Sequence, residues 1–374
     1  GTLAVRERVI YFEYATSFLN TKLELSPFKL PLRSGVFRCA DRVFDGIWGV
    51  FNDSLPDGWG RLLLDRKLMS LGKSPKDLTP LDRLSYVGTR GMGALSYEPD
   101  ISDQKSLLQT DLDQIAGECY RFQNDGEETF IDELLTLNGS SAGARPKILI
   151  RLDSGEDWLI KFRSSSDLKD AGSIEYAYHL MAIEAGLQVP KARLFESKTC
   201  SGYFGVKRFD HINDQVIHMH TASGLLHADY RIPSLDYETL MKATAWLTKD
   251  VRECEKLFRI AVFNVMAYNR DDHTKNFSFL MDANGSWSLA PAYDLTFSAG
   301  PMGEHCATVM GEGKKPTQAH LLRLAKVAQI TDTKASEIIE QTQNSISKWA
   351  EFAQAAGVTA GSLRLISSKL LSSQ

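Results

Sequence analysis

The chain has 374 residues, 43% of them hydrophobic and 24% charged, with 43 Lys and Arg against 47 Asp and Glu for a formal net charge of −4. That length suits two or three packed units of ordinary globular composition, and no apolar run reaches the roughly 18 residues that a membrane-spanning helix requires. The start lacks the basic end and apolar core of a secretion signal, no dense Lys/Arg run offers a basic face for DNA, and five scattered cysteines argue for a reducing cytoplasm against a disulfide framework or Cys metal site.

In chain order, residues 9–14 read as a strand and residues 59–68 as a helix, set among loops rich in Pro and Gly. Residues 137–147, Leu-Asn-Gly-Ser-Ser-Ala-Gly-Ala-Arg-Pro-Lys, form a loop of small residues. Such a loop lets backbone N–H groups approach phosphate oxygens, with Lys147 adding charge, though many loops of this kind are only turns. An apolar strand at 148–150, a hairpin turn at 153–156 and a second strand at 157–162 follow, with Lys161 on the face opposite Ile160 and Phe162. A Gly-rich loop, a strand, a turn and a Lys-bearing strand are the order found in the upper lobe of protein kinases. The next helix, 173–186, is expected to start on a Ser173 cap and to end at Gly186, with Pro190 beyond. Its Glu175 either pairs with Lys161 or stays exposed, favoured by the helix dipole. Strands around 192–195 and 203–209 complete a small sheet. In a kinase the link at this point offers its backbone to adenine, which makes residues 206–210 candidates, Lys207, Arg208, Phe209 and Asp210 among them.

Asp271-Asp-His-Thr-Lys-Asn276, with Asp294 downstream, has the residue types that phosphoryl transfer from Mg-ATP needs. One carboxylate takes the proton of the attacking hydroxyl, and an Asn and a second Asp hold the metal. A solvated polar turn or helix cap is the plainer alternative. A strand at 277–281, a tight turn at 282–285 and a returning strand at 286–289 fold about the 283/284 bond and bring Asp294 back beside residues 273–276. Amphipathic stretches at 237–247, 252–269, 318–327 and 334–353 read as helices. Phe258, Ile260, Ala261, Val262, Phe263 and Val265 read as core, and Trp246 and Trp349 as packing. His211, His218, His220 and His227 cluster in sequence, but no Cys supplies further zinc ligands, so no metal-histidine site is expected.

Six stretches in order resemble the HipA family, serine/threonine kinase toxins of bacterial toxin–antitoxin pairs, over nearly the whole chain. They are Phe51-Asn-Asp-Ser-Leu-Pro-Asp-Gly-Trp-Gly60 with the following Arg61-Leu-Leu-Leu-Asp-Arg66, Gly91-Met-Gly-Ala-Leu95, Ser140-Ser-Ala-Gly-Ala-Arg-Pro-Lys147, Val206-Lys-Arg-Phe-Asp210, the 271–276 loop, and Pro291-Ala-Tyr-Asp-Leu295. The resemblance implies an α+β, bilobal protein-kinase-like fold. Residues 1–125 would be an added N-terminal subdomain, 126–210 the ATP-gripping lobe and 211–374 a mostly helical C-terminal lobe. It implies Asp271 as catalytic base, with His273 and Lys275 in the catalytic loop, and Asn276 and Asp294 as magnesium ligands. Lys161 would contact the ATP phosphates beneath a loop containing Ser141, Ala142, Gly143, Ala144 and Lys147. Asp272 departs from the family pattern and either binds metal or, as is expected here, faces solvent. The family's regulatory serine, seven residues before the loop lysine, is Ser140, with Ser141 as the alternative. Phosphate there would exclude ATP phosphates by repulsion and by geometry.

The function so implied is an ATP- and Mg2+-dependent serine/threonine kinase. Its protein substrate would be one such as an aminoacyl-tRNA synthetase, and its partner a helix-turn-helix antitoxin similar to HipB. DNA would then be reached mainly through that antitoxin, with no membrane involved. Two rivals are a small-molecule phosphotransferase similar to the aminoglycoside kinases, which share the Asp…Asn…Asp core, and a non-catalytic antitoxin-binding scaffold. The scaffold would require a broken catalytic set, and no member of the set is missing here.

Overall fold

The computed structural model describes residues 1–101, 111–124, 130–138, 143–212 and 215–372, so the expectations for Ser140, Ser141 and Ala142 lie outside the described residues. Strands Thr2–Arg6, Val9–Glu13 and Val36–Arg38 form an antiparallel sheet. Residues two apart on a strand share a face, and Ile10 and Phe12 accordingly point into a core with Tyr14, Trp48, Phe51 and Leu84. Helix Pro80–Val87 opens with a Thr79/Asp82 capping box and Pro at its first position, which satisfies two otherwise orphaned N–H groups.

A second antiparallel sheet has the order Lys147–Arg151, Asp157–Lys161, Tyr203–Lys207, Ala192–Phe195. On one face Ile148 and Ile160 meet Trp59 and Leu63 of helix Gly58–Ser70, Phe122 of helix Leu112–Asn124 and Leu134 of helix Ile131–Asn138. The helix at 58–70 thus shares a core with the sheet of the smaller lobe and anchors the N-terminal part to it. The opposite face of this sheet carries Leu159 and Lys161 and forms one wall of a cleft. Helix Ala171–Glu184 starts earlier than expected, and Ser173 is buried inside it with no cap role. Asp170, at the N-cap position, makes no side-chain cap bond, because its carboxylate accepts from Thr359 N (2.7 Å) and Ser362 Oγ (2.8 Å) across the lobe.

The larger lobe is built on helices Tyr237–Thr248, Val251–Met266, Gln318–Val327, Asp332–Ser347, Trp349–Ala355 and Ala360–Ser372. The single helix expected at 334–353 is divided at Lys348, which lets the Trp349 ring turn onto Tyr178 (5.3 Å) in the core. Phe258, Ile260, Ala261, Val262, Phe263 and Val265 are buried as expected. Trp246 packs as read, though at the surface: it is 56% exposed, and its ring lies 4.6 Å from that of Phe28. Its helix buries Tyr237, Leu240, Met241, Ala243, Thr244 and Leu247, and position 246 falls off that stripe. Among the described residues no helix is long and apolar enough to cross a membrane.

Strand His218–Thr221 pairs with Ser278–Met281 and receives the N-terminal part. His220 Nδ1 meets Asp53 Oδ2 (2.6 Å), its Nε2 meets Ser26 Oγ (3.0 Å), and His218 Nε2 donates to Leu25 O (2.9 Å). His218 and His220 therefore serve as a joint between subdomain and lobe. Burial, followed by neighbouring His220, pushes His218 down to about 4. The unfolded chain takes up a proton on this side chain near pH 6.5, whereas the folded chain resists it until about pH 4. Stability is therefore unaffected by this group above about pH 6.5 and falls below it by about 1.4 kcal/mol per pH unit. Urea melts at pH 7.5, 6 and 5 are expected to show that loss, and His218→Gln to remove part of the slope. An unchanged slope in the variant would acquit this histidine.

Candidate active site

The 271–294 segment is organised by its hairpin. Asp282 Oδ1 accepts from the backbone of Asn284 and Ser286, and Gly285 takes φ +82°, so the turn is tight. The register pairs Phe279 with Leu289 and Met281 with Trp287, centring the fold on Asn284, half a residue later than expected. Past the strands, Tyr293 Oη lies 2.6 Å from both Lys275 O and Ser278 Oγ, which places Asp294 beside the 274–276 turn. Asn276 Nδ2 donates to Asp271 O (2.7 Å), locking that turn and leaving the amide oxygen of Asn276 for another partner.

Lys147 and Lys161 sit directly opposite each other on adjacent strands. Like charges at that spacing repel, and the site answers with carboxylates. Lys161 Nζ binds both Glu175 and Asp294 and lies 5.7 Å from the centre of the Phe204 ring. Glu175 is thus paired and buried, not exposed to the helix dipole alone. Burial works against the Lys161 charge, but Asp294 and Glu175 outweigh it and raise its pKa; burial and Lys161 bring Lys147 down to about 8. The two acids compete for one ammonium. Burial favours the neutral form of both, yet Lys161 and Lys147 overcome it at Asp294, which is held below the usual carboxylate range, while burial prevails at Glu175, which is raised. Lys161→Met would leave two carboxylates without their shared cation. The expected loss is about 2 kcal/mol in urea unfolding, below the figure for fully buried pairs because Asp294 is partly exposed. Adding Glu175→Leu should recover part of it, and an unchanged midpoint in Lys161→Met would refute the coupling.

Gly143, Ala144, Lys147, Lys161, Glu175, His273, Lys275, Asn276 and Asp294 all line one cleft of about 260 Å³. Its apolar walls come from Leu159, Phe204, Val206, Ala292 and Leu295, and it also takes in Lys207, Arg208, Phe209 and Asp210. Apolar walls leading to a cluster of charges suit a flat heterocycle that carries phosphates. Asp271 is half-buried and is not part of that lining. Cys306 Sγ lies 3.9 Å from its carboxylate, and burial followed by Asp271 pushes this thiol up to about 12. Asn276 and Asp294 offer oxygen donors only. Among the described residues no cluster of three or more His, Cys, Asp or Glu stands ready for a metal. A two-oxygen set completed by phosphate oxygens and water is how Mg2+ is usually held, so the residues fit that ion.

Asp272 corrects an expectation. It is 1% exposed, and its oxygens accept from Tyr237 Oη (3.0 Å), His305 Nδ1 (2.9 Å) and Ala307 N (3.1 Å). Three donors, all distant in sequence, draw it inward and staple segment 305–307 to the loop. The hinge side chains are likewise engaged: Lys207 Nζ with Glu156 (2.9 Å), and Arg208 with Asp210 and Gly91 O. Asp210 also accepts from Gly93 N (2.8 Å). Gly93 has φ +73°, and a Cβ there would come within 2.8 Å of Met219 N, so the backbone can approach only as glycine. Asp57 went unassigned in the sequence. It contacts both the Gly143 backbone and Lys275, which is therefore turned onto an internal partner.

Two lobes around a cleft, a lysine paired with a helix glutamate, and an Asn and Asp at the cleft floor define a protein-kinase-like fold. The HipA-like C-terminal domain matches residues 139–350, more than half of the chain, and the HipA N-terminal domain matches residues 1–98. The chain belongs to the HipA family. A solved HipA from Shewanella oneidensis MR-1, in complex with HipB and its operator DNA, is similar at TM-score 0.72 and 16% identity, over 100% of this chain and 94% of that one. The Helicobacter pylori proinflammatory kinase CtkA aligns over 56% of this chain and 94% of its own at 14% identity and TM-score 0.37, too low to define a shared fold.

Proposed function

We propose that this chain is a serine/threonine protein kinase of the toxin type, dependent on ATP and Mg2+. The reading rests above all on one observation: Lys161 bridges Glu175 and Asp294 at the charged end of a cleft whose walls are otherwise apolar. In this reading ATP enters with its base among Leu159, Phe204, Val206, Ala292 and Leu295, near the backbone of 206–210. Lys161 and Lys147 take its phosphates, with backbone of Ser141, Ala142, Gly143 and Ala144 proposed as further phosphate contacts. Asn276 and Asp294 would hold magnesium, and the ion would supply neutralisation of charge on the phosphates. Asp271 accepts the proton of the incoming hydroxyl. His273 and Lys275 shape the loop that presents it.

The substrate class is a protein hydroxyl, as on an aminoacyl-tRNA synthetase, and the site of action the cytoplasm. The relative from Shewanella oneidensis is bound to HipB and operator DNA. A helix-turn-helix antitoxin is therefore the partner proposed here, with DNA reached mainly through it, in keeping with a net charge of −4. Self-phosphorylation at Ser140, or at Ser141, would switch the enzyme off by placing a dianion where the ATP phosphates bind.

The test is mass spectrometry of the intact protein and its peptides after incubation with Mg-ATP. One added phosphate on Ser140 or Ser141 is expected, and Ser140→Ala should abolish it if the register is right. Transfer to small hydroxyl compounds with none to protein would move the assignment to a small-molecule phosphotransferase. No transfer at all from unmodified starting material would favour the scaffold.

A further inference from the structure

A carboxylate from the N-terminal subdomain reaches into the charged end of the cleft. Asp57 is 7% exposed; one of its oxygens accepts the N–H of Gly143 and the other the ammonium of Lys275. An Asp just before a helix ordinarily caps it by accepting from the helix's own first N–H groups. Helix Gly58–Ser70 begins directly after Asp57, yet Asp57 makes no such bond. Its hydrogen-bonding capacity goes instead to a loop of the small lobe and to the catalytic loop of the large lobe, 86 and 218 positions away in sequence.

The residues beside it strengthen the attachment. Trp59 N donates to Gly143 O (3.0 Å), so the loop is gripped through both faces of one peptide region. Gly58 takes φ +40°, and a Cβ there would lie 2.6 Å from Ala144 Cα. A larger residue would push the loop away. Lys275 is enclosed from another side by the Tyr230 ring at 4.2 Å. Burial disfavours charge on Asp57, but Lys275 and the Gly143 amide outweigh it, so the pair stays ionic.

We infer that Asp57 is a positioning residue of the transfer site: it fixes the loop at Gly143 and the catalytic-loop Lys275 relative to each other, so the N-terminal subdomain assembles the phosphate end of the cleft. The inference rests on reading that cleft as a Mg-ATP site. Its physical basis is that backbone donors help only where they are held, and a displacement of about 1 Å costs on the order of a hundredfold in rate.

The experiment uses the full chain with Asp57→Ala and Asp57→Asn. Three quantities are measured: amide hydrogen exchange of the peptide spanning 143–147, affinity for a fluorescent ATP analogue with Mg2+, and the single-turnover rate of self-phosphorylation. Asp57→Ala should speed exchange in 143–147 about tenfold, lower the transfer rate about a hundredfold and change nucleotide affinity less than about fivefold. Asp57→Asn keeps an acceptor for Gly143 N–H but loses the negative charge that faces Lys275, and should fall between, which matters if the Ala variant folds poorly. Wild-type exchange and rate in both variants would overturn the inference. So would exchange that rises evenly across the chain with affinity and rate falling together, since that marks general loosening. If wild-type protein transfers no phosphate, the kinase reading fails by itself, and local exchange at 143–147 still decides what Asp57 does.

Discussion

Asp271→Asn is expected to lower the rate of phosphate transfer by about a thousandfold while leaving the melting temperature and Mg-ATP affinity nearly unchanged. The two side chains have the same shape, and the loop is held through the Asp271 carbonyl by Asn276, a contact the substitution does not touch. Only the proton acceptor and its charge are lost. Single-turnover transfer with and without the substitution measures the effect, and calorimetry with Mg-ATP checks binding. A variant that retained its rate would leave the loop without a base. Asp272 is no substitute, because its oxygens already accept from Tyr237, His305 and the Ala307 backbone and it is buried.

Asp294→Asn should weaken Mg-dependent nucleotide binding by roughly a hundredfold, from loss of a charged oxygen ligand and of its attraction for Lys161. Asn is the better probe than Ala. Residue 294 has φ +54°, a left-handed conformation that Asn tolerates and Ala resists, so an Ala variant would mix backbone strain with loss of the ligand. Titration of nucleotide at fixed Mg2+ and with chelator separates the two contributions. Equal affinity in wild type and Asp294→Asn under both conditions would remove Asp294 from the metal role.

Much of the frame that carries these residues was legible without coordinates. Alternation at 157–162 put Lys161 opposite Ile160 and Phe162, and the Asp282–Gly285 turn implied that Asp294 returns beside residues 273–276. The small-lobe sheet, the 237–248 helix and the apolar 258–265 stretch also followed from local pattern. Helices 112–124, 131–138 and 360–372 were not anticipated, although charged and apolar residues alternate at helical spacing in the first of them. Ser173 is not the cap its residue type suggests, because the helix already begins at Ala171, with Asp170 at the N-cap position held by Thr359 and Ser362.

What the sequence by itself determined are features with a short physical range: periodicity, turn chemistry, the spacing of Asp271, Asn276 and Asp294, and the six ordered stretches that mark the family. What only the tertiary structure decided is which buried charges satisfy each other. Asp57 meets Lys275 across 218 positions, Asp53 meets His220 across 167, and Asp272 meets His305 across 33. A carboxylate in a sequence carries no mark of its partner. Burial makes an unpaired charge so costly that some partner must be present; packing of the N-terminal subdomain selects it for Asp53 and Asp57, and packing within the large lobe selects it for Asp272.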